Sequence, residues 1–160
     1  MAEIKSKYGT SNQPLTITFD GLADGNMWAS TAVDNGTHCF LDVLVQLRIT
    51  SGAVAPSGDK NVLVYAYSSA DSGVTYSGGA TGSDDSFGSE AGQLVENCTL
   101  LGIVSINAAS ETFESDVFSV AGAFGGVLPD RWGIIVKNQT GQSLGSPCSA
   151  FYQGVFAQAD

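Results

Sequence analysis

The chain is short of charge, nearly free of histidine and without long apolar runs. Charged residues make up 14% of its 160 residues, against roughly a quarter in an average soluble domain. Lysine and arginine together number six against sixteen acids, for a formal charge of −10. Nothing basic clusters beyond Lys5 and Lys7. Phosphate backbones and anionic membrane surfaces are held by clustered cations, so neither direct nucleic-acid binding nor membrane docking is expected. No stretch approaches the eighteen or so apolar residues of a membrane span. The opening Met1-Ala2-Glu3-Ile4-Lys5-Ser6-Lys7 lacks the apolar core of a secretory signal. One histidine, His38, is too few for the usual imidazole-rich metal centres, and no cofactor is expected.

Cysteine is scarce and odd in number: Cys39, Cys98 and Cys148 lie far apart. They read as small, mostly buried thiols of a protein made in a reducing cytoplasm. Three Asn-x-Ser/Thr triplets begin at Asn35, Asn97 and Asn138. Without a secretory signal they are expected to be chance in a chain rich in Asn and Thr.

What the sequence does have is glycine, twenty residues of it, punctuating short alternating segments. Phe40–Thr50 is the strongest: Leu41, Val43, Val45, Leu47 and Ile49 alternate with Asp42, Gln46, Arg48 and Thr50, the period of a half-buried strand. Leu15–Phe19 alternates likewise. Asn61–Ser68 sets Val62, Val64 and Ala66 against Leu63, Tyr65 and Tyr67, so both faces are apolar, as in a central strand or one whose outer face is covered. Further strands are expected within Leu94–Ile106, Thr112–Val120, Trp132–Lys137 and Ala150–Gln158. Asp20-Gly21, Gly58-Asp59 and Asn138-Gln139-Thr140-Gly141 mark turns. About eight strands with no amphipathic helix predict an all-β, single-domain antiparallel sandwich of jelly-roll type over residues 15–160. Residues 1–14 have neither period and are expected to be a flexible N-terminal arm.

Residues 69–93 are dominated by Ser, Gly, Asp and Thr, broken by the short run Val74-Thr75-Tyr76. A polar loop of that length is unusual in a compact domain and is often functional, which makes it a candidate contact surface. A merely flexible tip is the competing reading.

The chemical motifs are weak. Gly141-Gln142-Ser143-Leu144-Gly145 matches the G-x-S-x-G of serine hydrolases, but that motif needs a following helix and a later histidine. Ser146-Pro147 follows instead, and His38 comes earlier. His38 beside Cys39 lacks further ligands. Asp20, Asp24 and Asn26, or Asp84, Asp85 and Glu90, offer oxygen donors without the spacing of a calcium loop. No phosphate-cradling glycine motif occurs. Trp28, Tyr65, Tyr67, Tyr76, Phe124 and Trp132 are a stacking platform only if exposed, and core filling is the commoner use. No residue is assigned to catalysis, and the chain is expected not to be an enzyme.

The run Val127-Leu128-Pro129-Asp130-Arg131-Trp132-Gly133-Ile134-Ile135-Val136-Lys137-Asn138-Gln139-Thr140-Gly141, followed by a Tyr/Phe-rich last strand, resembles the closing hairpin of small jelly-roll virion proteins of tailed bacteriophages. The likeness covers the last third of the chain. It implies a structural protein of a virion, made in the host bacterial cytoplasm, decorating or stabilising the head through a homotrimer and contacts with the major capsid protein. On that reading the interface candidates are Lys5, Lys7 and Tyr8 in the arm, Tyr65 and Tyr67 in the strand, and Tyr76 and Phe87 in the loop. The alternative is a carbohydrate- or receptor-binding sandwich of a phage tail or adhesin.

Overall fold

A computed structural model describes residues 3–159. Along the chain run β1 (Ile4–Tyr8), β2 (Gln13–Leu15), β3 (Met27–Ala29), β4 (Val33–Asp34), the one-turn α1 (Asn35–His38), β5 (Asp42–Thr50), β6 (Asn61–Ser69) and β7 (Asp85–Phe87). Then follow β8 (Thr99–Ser105), β9 (Thr112–Glu114), β10 (Phe118–Ser119), the one-turn α2 (Val120–Ala123), β11 (Arg131–Gln139) and β12 (Ser149–Ala159).

Two antiparallel sheets pack face to face. Sheet I orders β1, β12, β5 and β10, with β2 also on β12 and β9 also on β5. Sheet II orders β7, β3, β11, β6 and β8, with β4 on the end of β11. Taking β1 with β2, and β9 with β10, as single interrupted strands, and setting aside β7 and the short β4, eight principal strands remain among the described residues. Their order is first, eighth, third, sixth in one sheet and second, seventh, fourth, fifth in the other. That interleaving is the jelly roll, so the all-β sandwich read from the sequence is the fold.

The alternation in β5 translates directly into packing. Val43, Val45, Leu47 and Ile49 are fully buried, and they meet Val62, Val64, Ile134 and Val136 from sheet II. Trp132 and Phe19 complete this core, with Trp132 edge-on to Tyr152 at 5.6 Å between centroids. Truncating Leu47, Ile49 or Ile134 to alanine costs about 2–5 kcal/mol, from lost transfer energy and the cavity left behind.

Buried polar groups tie the turns to this core. Asn138, fully buried, donates from Nδ2 to the carbonyls of Leu22 (2.8 Å) and Gln142 (2.7 Å) and accepts from the Thr140 amide. Asp20 accepts from the Ser146 hydroxyl and the Cys148 amide, and Asp24 accepts from the Gly141 amide. These carboxylates pin loops.

Several elements differ from the sequence reading. Residues 4–8 and 13–15 pair with β12, so from residue 4 the arm forms the edge of sheet I. Ladder hydrogen bonds order it without any side-chain periodicity. The first two residues of that expected arm lie outside the described residues. Thr16–Phe19 buries Phe19 as its alternation predicts but joins no ladder, because the Thr18 amide donates to the Asp84 carboxylate and the Thr16 carbonyl accepts from Thr31. Thr112–Val120 is broken between β9 and β10, where the Ser115 hydroxyl accepts from the Leu47 amide in place of a backbone partner. Leu41, expected on the buried face of β5, precedes the strand and is exposed.

Candidate functional site

The polar loop after β6 is built rather than loose. Ala29, Tyr67, Ala80, Phe87, Val95 and Ile135 form a second buried cluster on the outer side of sheet II. Tyr67 lies over Gly133, its register partner, where any Cβ would overlap the phenol ring. Its hydroxyl donates to the Ser30 carbonyl at 2.5 Å, and its ring meets Tyr76 edge-on at 5.5 Å. Asp84 fastens the loop by accepting from the Thr18 amide, the Thr18 hydroxyl and the Trp28 indole. Asp71 closes its first turn by accepting from Ser69 and Thr75, bonds that hold its carboxyl down to about 2. The apolar outer face of β6 is thus covered by the chain itself.

Sheet I has no such cover. Direct register partners share a face, so Leu44 opposite Gln153, and Phe151 opposite Gln46, point away from the core that Val43, Val45 and Leu47 enter. Tyr8 stands opposite Val155 on that same outer side. Ile4 and Tyr8 are 77% and 60% exposed, and Val117 is 49% exposed beside Leu44 in a shallow depression. A second exposed apolar strip lies at the far edge of sheet II, where Leu94, Leu100 and Ile103 stand at and just before β8.

A concavity opens at one end of the sandwich. There β12 outruns β5: Asp42 faces Val155, and beyond it β12 is paired with β1 alone. Phe156 and Lys7 are register partners on this ribbon, with Nζ of Lys7 5.6 Å from the Phe156 ring centroid. The segment after α1 supplies the facing wall. Asp34 caps α1 by accepting from the Thr37 amide, and Cys39 turns the chain in the left-handed region at φ 56°. Buried Asn35 then clamps Phe40 by bonding both its amide (2.9 Å) and its carbonyl (3.1 Å). Held in this way, the Phe40 ring stacks on His38 at 5.0 Å with 2° between planes and lies 6.4 Å from Phe156. Gly154 leaves room beneath it, since a Cβ there would overlap the Phe40 ring. Tyr152, Thr10 and Gln13 complete a groove of ≈ 430 Å3.

Electrostatically the groove is unlike its molecule. No acid among the described residues lines it, whereas Lys7 and the sole histidine do. Lys7 has no ion pair among the described residues. Burial raises the Tyr152 phenol above its ordinary value, so it serves as a neutral hydrogen-bonding wall at ordinary pH.

The interface candidates read from the sequence divide. Lys5, Lys7 and Tyr8 are exposed on the edge strand β1. Tyr65 and Tyr76 are partly covered by the second cluster. Tyr67 and Phe87 are buried within the chain and present no surface, because the loop expected to expose aromatics folds back over them. Residues 141–145 are irregular chain with no helix after them, whereas the hydrolase motif requires one. Among the described residues no group of three or more His, Cys, Asp or Glu is placed to hold a metal ion. Sequence reasoning missed Leu44, Phe151 and Phe40. The first two were visible in the alternation of their strands, but the meeting of Phe40 with Phe156 depends on a left-handed Cys39 that no pattern announces. No family model, curated protein or solved structure matches the chain.

Proposed function

We propose that this protein is a non-enzymatic structural component of a bacteriophage virion that works by assembling with itself, as a trimer, on the head. The observation that carries the assembly is the contrast between the two outer faces. Sheet II is covered over β6 by the chain's own loop, while sheet I leaves Ile4, Tyr8 and Val117 exposed beside half-buried Leu44, Phe151 and Val155. An apolar face of this kind marks a contact surface. A closed ring of three uses two different patches on each copy, and the strip of Leu94, Leu100 and Ile103 on the opposite sheet is the second. The sparse surface charge fits a protein partly hidden by neighbours. The virion setting rests on the resemblance of residues 127–141 to phage head proteins.

The test is native mass by light scattering on the wild type and on Phe151→Arg and Leu44→Asp, with thermal melts to verify folding. A trimer that each substitution converts to a folded monomer is the expected result. A wild-type monomer at tens of micromolar rejects the self-assembly.

A second reading, a carbohydrate- or receptor-binding module of a phage tail or adhesin, is favoured by the end groove with its half-buried aromatic wall.

A further inference from the structure

We infer that the groove at the end of the sandwich binds an acidic sugar, a pyranose bearing a carboxylate of the uronic-acid type. This inference rests on the second reading above. Three features of the groove converge on that class.

The first is the wall. Three rings line the groove: His38 lies parallel to Phe40 at 5.0 Å between centroids, and Phe156 is tilted by 31° at 6.4 Å from Phe40. One face of a pyranose is a patch of C–H groups, which packs on the electron-rich face of an aromatic ring. The second is the charge. In a molecule of net charge −10 the groove holds the Lys7 ammonium and, among the described residues, no carboxylate. Such a cleft concentrates positive potential where the rest of the surface repels anions. A neutral glycan gains nothing from this arrangement, and an anion without an apolar face makes no use of the rings. The third is the polar rim. Thr10, Gln13 and Tyr152 line the same space and offer the donors and acceptors that hydroxyl groups need. At ≈ 430 Å3 the groove falls in the usual size range of small-molecule sites, roughly 300–1,000 Å3.

Rigidity supports the assignment. Asn35 fixes the Phe40 backbone from both sides, and Gln153 donates to the carbonyl of Gly9, a lining residue, at 2.9 Å. The wall therefore stands ready without rearrangement.

The experiment titrates the full chain with methyl β-glucuronide, methyl β-glucoside and sodium sulfate, following backbone amide shifts by NMR. The glucuronide is expected to shift Lys7, Gly9, Phe40, Gly154 and Phe156 and to bind about tenfold more tightly than the glucoside, the scale of one charge-assisted hydrogen bond. Lys7→Gln, at an exposed position, is expected to erase that preference while leaving the fold intact. Phe156→Leu is expected to weaken both sugars alike. Equal binding of the two sugars overturns the acidic specificity and leaves the carbohydrate reading standing. Absence of shifts from both sugars overturns the two together. Displacement of the glucuronide by sulfate at equal concentration reduces the groove to a simple anion site and overturns the sugar assignment.

Discussion

Replacing Tyr67 by Phe probes how the polar loop is held, because it removes one oxygen and leaves the packing in place. The Tyr67 hydroxyl, fully buried, donates to the Ser30 carbonyl at 2.5 Å. Its loss strands that carbonyl away from water, at a cost of about 1–3 kcal/mol. For a domain of this size each kcal/mol lowers the melting temperature by about 2–4 °C. A loss of about 2 kcal/mol therefore corresponds to a drop of about 4–8 °C. Scanning calorimetry at pH 7 reads it directly. Native-state hydrogen exchange is expected to show faster opening of residues 76–80 and 94–98, which close over Tyr67. The pH dependence supplies an independent check. Burial pushes the Tyr67 phenol well above its ordinary value of 10.0, so the folded state favours the neutral ring. That contribution is fully present below pH 10 and is lost as the pH rises beyond it. The gap in melting temperature between wild type and Tyr67→Phe is thus expected to narrow above pH 10. A variant with unchanged melting temperature and unchanged exchange in the loop refutes the claim that this contact fastens the cover of sheet II.

Two further outcomes follow from the packing. Gly154→Val drives a side chain into the Phe40 ring, so the ring is displaced and the groove it walls is lost; overpacking of this kind costs about 1–3 kcal/mol, and a melting temperature equal to wild type, with unmoved Phe40 resonances, contradicts the close approach. Thiol titration with a disulfide reagent at pH 8 is expected to find one fast cysteine, Cys39, which is exposed, because burial pushes the Cys148 thiol up to about 11 and raises that of Cys98 as well. Two or three fast thiols contradict the packing around Cys98 and Cys148.

The sandwich was legible because its clearest inner strand, β5, keeps a period of two. In β5 every second residue from Val43 to Ile49 is fully buried, and the turns around it carry Gly, Asp and Asn at the bends. The double-sided pattern of Asn61–Ser68 also announced a covered outer face, although its cover proved to be the chain's own loop. What escaped the pattern lies where tertiary hydrogen bonds replace local ones. The edge strand β1 is exposed along its whole length and owes its order to a partner some 150 residues away. The residues from Thr16 to Thr18 alternate like a strand yet bond to Asp84 and Thr31. Candidate site residues were harder still. Tyr67 and Phe87 look the same in sequence as any exposed aromatic, and only the path of the loop decides their burial. The groove joins residues 7, 38, 40, 152 and 156 from three separate segments, with a left-handed residue and a clamp by Asn35 between them. No window of sequence contains that geometry.

The most direct test of the central claim, that the bare face of sheet I is a surface for copies of this chain, is the native mass in solution. A three-fold multiple of the 16.5 kDa chain that falls to one chain in Phe151→Arg is the predicted result. A wild-type protein that remains at one chain's mass at tens of micromolar contradicts it.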